Sequence, residues 1–345
     1  MALPSLPWPV RLWLLACCAL IIVMVLLGAI TRLTGAGLSI TAWEPVSGAV
    51  PPLSEAAWRR AFAAYQAIPQ YRLLHDGMAL ETFKTLFFWE WLHRLWGRLI
   101  GLAFALPLAL FLLRRTIGAA WGLRLAAILA LGGLQGFVGW FMVQSGLTEG
   151  TSVNPLRLAL HLDFALLLYA LLLWVALPAG PPLSPSLRRQ GWLTLAVLAL
   201  TLTWGALVAG LQAGTIYTTW PLMDGVLVPA AVTDWPHPLD NPVLAQLVHR
   251  WLGPLVLVLV LAWVRRLRRA GRRGALPLAL AAMALVQVGL GVATLLSGAA
   301  LVMAVLHQAG AVLLLSLLVA TLRRGLPCAA AGHRSPPAPG PGHTR

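Results

Sequence analysis

The segment Lys84-Thr-Leu-Phe-Phe-Trp-Glu-Trp-Leu-His-Arg-Leu-Trp-Gly-Arg-Leu-Ile-Gly101 opens a long apolar run and predicts the start of a membrane-spanning helix. It nevertheless carries Glu90, His93, Arg94 and Arg98 within the first turns of that run. Ionisable groups are costly in a bilayer and persist mainly where they line a site. Glu90 and His93 are three residues apart, so on a helix they share one face. This helix therefore marks a candidate functional site.

A second copy of the motif follows later in the chain, as Gln246-Leu-Val-His-Arg-Trp-Leu-Gly253. Both copies contain His-Arg-x-x-Gly, but the position of Glu90 in the first copy is taken by Gln246 in the second. The two side chains have nearly the same shape, and only the carboxylate can titrate. The repeat is therefore chemically asymmetric.

The composition is that of a polytopic membrane protein. Of the 345 residues, 59% are hydrophobic and 10% are charged, whereas soluble domains have about 25% charged residues. The net charge of +15 raises the question of nucleic-acid binding. The basic residues, however, form short clusters between apolar runs, which is typical of membrane proteins. We therefore expect a lipid bilayer, and no nucleic acid, as partner. The cysteines Cys17 and Cys18 are adjacent in an apolar run and are expected to pack as small hydrophobic side chains.

Eight apolar runs are long enough to cross a bilayer: 11–33, 85–113, 121–144, 156–177, 191–213, 243–264, 275–297 and 299–322. A tail rich in Pro and Gly, residues 327–345, is expected to be disordered. Arginines concentrate in alternate connections, while the acidic residues lie in the others or in the helix halves that adjoin them. This distribution predicts that both termini are cytoplasmic.

The chain contains an internal repeat. Gly28-Ala29 matches Gly205-Ala206 at an offset of 177, His93-Arg94 matches His249-Arg250 at 156, Gln135 matches Gln287 at 152, and His161 matches His307 at 146. Four matches in the same order predict two similar units in the same orientation. The predicted fold is an all-α integral membrane protein whose eight helices form two pseudo-symmetric four-helix bundles, residues 11–177 and 191–322.

The four matched histidines are expected to bind haem iron as axial ligands: His93, His161, His249 and His307. Two histidines per bundle at similar depth suit bis-imidazole ligation inside a four-helix bundle. A zinc site needs three or four converging ligands, so haem fits the count better. Small residues must admit the flat porphyrin, and Gly97, Gly253, Gly139 and Gly291 are candidates. Arg94 and Arg250 are candidates for propionate contacts, for which a guanidinium group is well suited.

Glu90 is the candidate catalytic residue. Electron transfer alone requires no carboxylate in one bundle only. A carboxylate one turn from an iron ligand can accept a proton or stabilise positive charge at the porphyrin edge. The alternatives are a proton relay or a structural pair with Arg94 or Arg98.

These motifs resemble the haem A synthase family. The resemblance runs from about Gly28 to Leu322 and includes Gly-Ala-Ile-Thr-Arg-Leu-Thr-Gly-Ala-Gly-Leu-Ser at 28–39, Glu-Trp-Leu-His-Arg at 90–94 and Gln-Gly-x-x-Gly-Trp at 135–140. The segments at 43–48 and 219–225 resemble the longer mitochondrial and proteobacterial subtype. Some bacterial members carry a cysteine pair in external loops, and this sequence has none there.

The resemblance implies an oxidoreductase that converts a methyl group of haem O to the formyl group of haem A by successive hydroxylations, for cytochrome oxidase assembly. It implies haem b as cofactor on His249 and His307, and the substrate haem between His93 and His161 with Glu90 near the methyl group. It further implies a bacterial inner-membrane location, with haem O synthase and cytochrome oxidase assembly factors as candidate partners. The electron donor is left open.

Two other classes of protein remain open. The first is a di-haem b-type membrane electron carrier without its own substrate chemistry. Such carriers usually place two histidines on one helix, whereas here there is one per helix. The second is a transporter built from a repeat, which predicts broken helices and substrate groups near the midplane.

Overall fold

The computed structural model describes residues 5–148, 150–234 and 236–325. Within them the fold is helical, and one isolated β-bridge joins Met223 to Val226. The predicted tail, 327–345, lies outside the described residues. The longer helices are α1 Trp8–Leu33, α2 Glu55–Gln66, α3 Leu80–Leu113, α4 Ala119–Thr148, α5 Pro155–Ala176, α6 Pro185–Gly210, α7 Pro242–Arg269, α8 Ala275–Leu296 and α9 Leu301–Arg323.

The eight predicted membrane spans are confirmed. All the helices named above except α2 are long and apolar enough to cross a membrane. The connection between the last two spans is short, because α8 ends at Leu296 and α9 begins at Leu301. Gly298 adopts a positive φ of 62° there, which a glycine tolerates without steric cost.

Three spans begin at polar caps followed by proline. The side chain of Asn154 accepts hydrogen bonds from the backbone N–H groups of Leu156 and Arg157, and Asn241 does the same for Val243 and Leu244. Ser184 accepts from the N–H of Leu187. These bonds satisfy donors that a helix start leaves unpaired, and a proline in the first turn loses no bond. The caps therefore fix where α5, α6 and α7 begin.

The helices pack in two sets. In the first, α1 contacts α3 and α5, and α4 contacts α3 and α5. In the second, α6 contacts α7 and α9, and α8 contacts α7 and α9. The sets meet where α5 contacts α6 and α9, and where α1 contacts α9. The predicted division at 11–177 and 191–322 and the pseudo-symmetry of the two parts stay predictions.

The common core lies where the two sets meet. Cys17 and Cys18 are buried in it, as predicted. The indole of Trp263 is fully buried and donates a 2.9 Å hydrogen bond to the carbonyl of Leu187. A Cβ at Gly191 would lie 2.5 Å from this indole, so α6 and α7 approach closely only because residue 191 has no side chain.

The connection between α1 and α3 is more ordered than a long loop. It contains α2 and a short π-helical turn, Tyr71–His75. Aromatic side chains of α2 and the π-helical turn pack against the start of α3 in one cluster, whose members include Trp58, Phe62, Tyr65, Tyr71, Phe83 and Phe87. Ring centroids in this cluster are 5.0 Å apart for Trp58 and Phe87, and 5.3 Å for Tyr65 and Phe83. The cluster covers the helix end that carries Glu90.

Candidate haem site

Each of the four predicted ligands lies on a different helix and packs against a glycine of a neighbouring helix. His93, His161, His249 and His307 lie on α3, α5, α7 and α9. A Cβ at Gly28, Gly139, Gly205 or Gly291 would lie 3.1, 2.8, 2.8 or 3.0 Å from the Cε1 atom of the corresponding ring. These distances are shorter than ordinary van der Waals contacts. The absence of a side chain at the four glycines therefore makes room for the imidazoles.

Three of the four glycines that sequence reasoning selected face a side chain rather than an open space. Gly139 and Gly291 face an imidazole rather than an open space. Gly97 faces the methyl group of Met24 at 3.3 Å, while Gly253 has no described atom within 4 Å of its Cβ position. Of the four, only Gly253 leaves an open space one turn from a histidine. The sequence contained a signal for Gly28 and Gly205, since they are part of the repeat.

The separation of His249 and His307 fits a bis-imidazole haem site. Their ring centroids are 6.2 Å apart and their planes cross at 87°. Metal–imidazole bonds are about 2 Å long, so two rings bound to opposite faces of one metal have centroids roughly 6 Å apart. Both residues are only half-buried although they lie between packed helices. The side chains present therefore fit an iron between them.

Three of the histidines have a hydrogen-bonding group beside Nδ1. The nature of that group decides whether the other ring nitrogen, Nε2, is free to bind a metal. His249 Nδ1 lies 3.0 Å from the carbonyl oxygen of Thr201. A carbonyl only accepts, so Nδ1 carries the proton and Nε2 keeps its lone pair for a ligand. Thr201 precedes Gly205 by one turn, and the bare Gly205 backbone lets the ring reach this carbonyl. His93 Nδ1 is buried without a hydrogen-bond partner among the described residues.

Gln135 and Gln287 contact the other two histidines differently, because each places an amide nitrogen, which is a donor, beside Nδ1. Gln135 Nε2 donates 2.8 Å to the His161 carbonyl and lies 3.0 Å from His161 Nδ1. For Gln287 and His307 the two distances are 2.9 and 3.1 Å. Gln135 thus links α4 to α5, and Gln287 links α8 to α9. Sequence reasoning did not identify their partners, which are the candidate ligands themselves.

Glu90 is buried and fully engaged. Its Oε2 accepts from the Ser39 hydroxyl at 2.7 Å and from the Ile40 N–H at 2.8 Å. Its Oε1 pairs with Arg94 at 2.6 Å. The structural pair with Arg94, which sequence reasoning set against a catalytic role, is therefore present. It does not exclude catalysis, because a carboxylate held by donors can still exchange a proton.

The counterpart of Glu90 is bonded differently. Gln246 Nε2 donates 3.0 Å to the carbonyl of Tyr217. Gln246 Oε1 is buried without a hydrogen-bond partner within the described residues. Tyr217 corresponds to Ile40 at the offset of 177. Glu90 thus binds the N–H of its loop residue, whereas Gln246 binds the C=O of the matched residue.

Arg94 and Arg250 hold matched loops. Arg94 donates to the carbonyls of Ile40 and Ala42, at 2.8 and 3.0 Å. Arg250 donates to the carbonyls of Tyr217 and Thr219, at 3.1 and 2.8 Å. It also donates to the carbonyls of Pro221 and Leu222, and its guanidinium carbon lies 5.7 Å from the ring centroid of Trp220. Arg94 therefore fixes the loop that follows α1, and Arg250 fixes the loop that follows α6. Propionate contacts of Arg94 and Arg250 stay predictions.

A buried network supports the loop that holds Glu90. The Tyr65 hydroxyl donates 2.9 Å to Gln70 Oε1 and lies 2.5 Å from His75 Nδ1. Gln70 Nε2 donates 3.1 Å to the carbonyl of Gly35. Burial, and then the charges of Glu90 and Tyr71, raise the pKa of Tyr65 to about 12, so the hydroxyl keeps its proton near neutral pH. Sequence reasoning assigned no role to this network.

Within the described residues, no group of three or more His, Cys, Asp or Glu side chains is placed to hold a metal ion. The four histidines are instead candidates for haem ligation in pairs.

Comparison with known proteins identifies the family of the chain. A family model described as cytochrome oxidase assembly protein matches residues 11–319. A protein of Rhodospirillum centenum named haem A synthase is 51% identical over 329 residues, which covers 92% of this chain and 88% of that protein. Haem A synthases of Bradyrhizobium sp. (strain ORS 278) and Granulibacter bethesdensis are 46% and 47% identical, over 91% of this chain in each case and over 91% and 86% of their own lengths. The chain therefore belongs to the haem A synthase family of cytochrome oxidase assembly proteins.

Proposed function

We propose that the protein is a haem A synthase, an oxidoreductase that converts a methyl group of haem O to the formyl group of haem A. Family membership supports this activity. The difference between Glu90 and Gln246, in otherwise matched surroundings, is the observation that supports assigning this activity to particular residues. A carboxylate beside one histidine pair and an amide beside the other assign the substrate chemistry to the first pair.

The two pairs take different haems in this proposal. His249 and His307 hold haem b as the resident cofactor, which their 6.2 Å centroid separation fits. When bound, haem b supplies one-electron redox chemistry. His93 and His161 hold the substrate haem, with Glu90 on the same face of α3 as His93.

The residues of the chain then have distinct tasks. His93 and His161 orient the substrate, and Gln135 orients His161. Ser39, the Ile40 N–H and Arg94 hold the Glu90 carboxylate in one place. A carboxylate fixed in this way takes up the proton that leaves when the methyl group is oxidised, or stabilises positive charge at the porphyrin edge. Glu90 is only 2% exposed, so bulk water has little access to the carboxylate.

One experiment tests the activity and separates it from the di-haem electron carrier. The protein is purified from cells that make haem O, and its haems are extracted and identified. A haem A synthase yields haem b together with haem O or haem A. An electron carrier yields haem b alone, in about two copies per chain. The Glu90–Arg94 ion pair is the observation that favours the electron carrier, because it gives Glu90 a structural role that needs no substrate chemistry.

The proposed location is the bacterial inner membrane, with both termini in the cytoplasm and the connections at 34–83 and 214–242 outside. Haem O synthase and cytochrome oxidase assembly factors are the proposed partners. Reporter fusions at Gly180 and Gly274 should be cytoplasmic, and a fusion at Asp234 should be external. An external signal at Gly274, which follows six arginines, would overturn the orientation.

A further inference from the structure

The end of α7 carries a concentration of positive charge that the haem site does not use. Six arginines lie between residues 265 and 273, and no acidic residue follows Asp240 anywhere in the sequence. The α5–α6 connection, which packs nearby, contains no acidic residue either. The cluster is therefore not neutralised by carboxylates of its own surroundings.

The six arginines divide into two groups. Arg266 donates to Gln190 and Ser186 of α6, and Arg272 donates to the carbonyls of Pro181 and Pro182. These two stabilise the fold. The other four have no hydrogen bond or ion pair within the described residues, and they line a groove of about 470 Å³ together with Leu261 and Val264: Arg265, Arg268, Arg269 and Arg273.

The groove continues into an apolar surface. Leu261, Arg265, Arg268 and Arg269 follow the spacing of one helix face. Three exposed apolar residues extend the same side of α7 towards the middle of the span: Trp251, Leu255 and Val258. A ligand that fills the whole feature therefore needs an anionic head and an apolar tail that lies along the helix.

We propose that this groove binds an anionic phospholipid. The phosphate lies among Arg265, Arg268 and Arg269, and an acyl chain lies along Leu261, Val258 and Leu255. Guanidinium groups suit phosphate because they donate in a fixed fork. An acidic protein segment would match the charge but leave the apolar stripe uncovered, and a free phosphate ion would leave it uncovered too.

The test uses the full-length protein in a neutral detergent. Binding is followed by native mass spectrometry for phosphatidylglycerol, for phosphatidylcholine with the same acyl chains, and for inorganic phosphate alone. The variant Arg265→Gln/Arg268→Gln/Arg269→Gln is compared with a control that removes equal charge elsewhere, Arg114→Gln/Arg115→Gln/Arg124→Gln. One basic residue strengthens binding to an anionic lipid about fivefold. The groove variant should therefore bind phosphatidylglycerol on the order of 100-fold more weakly, and the control should bind it as the wild type does.

Several results would overturn the proposal. These are equal binding of phosphatidylcholine, equal loss in the control variant, and displacement of the lipid by inorganic phosphate at low concentration. Circular dichroism checks that the triple variant is folded. If it is not, the single change Arg268→Gln serves instead, with an expected weakening of about fivefold. A normal affinity in that variant also counts against the groove.

Discussion

His93 and His249 occupy matched positions in the two halves of the chain, but their side chains are constrained to different degrees. His249 is bonded through Nδ1 to the Thr201 carbonyl, and a Cβ at Gly205 would lie only 2.8 Å from its ring. His93 has a buried Nδ1 without a described hydrogen-bond partner, and the matching distance from Gly28 is 3.1 Å. The more constrained histidine suits a cofactor that stays bound. The less constrained one suits a substrate that must enter and leave.

The loops beside the two histidines share one framework and differ in one charged group. Arg94 and Arg250 bind matched carbonyls, so the framework of the loops is common to both halves. Glu90 adds a charged group to that framework in one half, where Gln246 adds a neutral one in the other. One half of the repeat thus has the means for acid–base chemistry, and the other has a more rigid pair of ligands.

The largest expected effect comes from removing a histidine. His249→Ala or His307→Ala should lose haem b, because each removes one of the proposed axial ligands. His93→Ala or His161→Ala should retain haem b and stop haem A formation. Optical spectra of the purified variants and analysis of their extracted haems measure both outcomes.

The comparison of the halves would be wrong if all four variants lost the same haem to the same extent. His237→Ala is the control, because His237 is exposed in the connection between α6 and α7 and belongs to neither pair.

The second largest effect is expected at Glu90. Glu90→Gln should lower haem A formation by about 10²–10⁴-fold, the usual contribution of a general acid or base, with both haems still bound. The amide retains an oxygen for Ser39 and Ile40, and Arg94 keeps its bonds to the carbonyls of Ile40 and Ala42, so the structural loss is confined to the Glu90–Arg94 ion pair. Extracted haems should show haem O or a hydroxylated intermediate accumulating.

A double exchange gives the matched control for Glu90. Glu90→Gln/Gln246→Glu keeps the total charge and moves the carboxylate to the other half. Activity should not return, because the carboxylate then lies beside the wrong haem. Restored activity in the double variant, or normal activity in Glu90→Gln, would show that the reaction does not require a carboxylate at position 90.

The spans and the histidine pairs could be predicted because they depend on local properties of the chain. Hydropathy alone sets the eight runs, and the structure differs from them only at their ends, as with Ala119–Thr148 against the predicted 121–144. The order of the repeat predicts which histidines match. Glu90 could be singled out because a lone carboxylate in an apolar run is unusual.

The partners of these residues could not be predicted, since they depend on contacts between distant parts of the chain. No local pattern indicates that Arg94 binds the carbonyls of Ile40 and Ala42, because every residue has a carbonyl. The Tyr65–Gln70 network was missed for the same reason. Helix α2 left a signal that was not used, because Ser54 followed by Glu55-Ala-Ala-Trp-Arg-Arg is a typical helix start.

A smaller effect is expected from the glutamines that hold His161 and His307. Residues that hydrogen-bond a ligating histidine typically contribute 10- to 100-fold in metal affinity or activity. Gln287→Leu should therefore weaken haem b binding by about that factor, measured by titrating haem into the haem-depleted protein. Gln135→Leu should leave haem b affinity unchanged and lower haem A formation. Equal weakening of haem b binding by both would indicate that the two halves do not bind separate haems.

The smallest effect should come from adding one methyl group beside His249 or His93. Gly205→Ala places a Cβ 2.8 Å from the His249 ring, a distance that forces the ring or the helix to move. Overpacking of this kind costs about 1–3 kcal/mol, so haem b content and thermal stability should fall. Gly28→Ala meets His93 at 3.1 Å, where Nδ1 has no described partner to lose, so the ring can shift at lower cost.

Gly253→Ala is the control in haem-depleted protein, because its Cβ position has no described atom within 4 Å. There it should stabilise the helix by up to about 1 kcal/mol. If Gly28→Ala destabilised the protein more than Gly205→Ala, the less constrained histidine would be His249, and the assignment of cofactor and substrate to the two halves would have to be reversed.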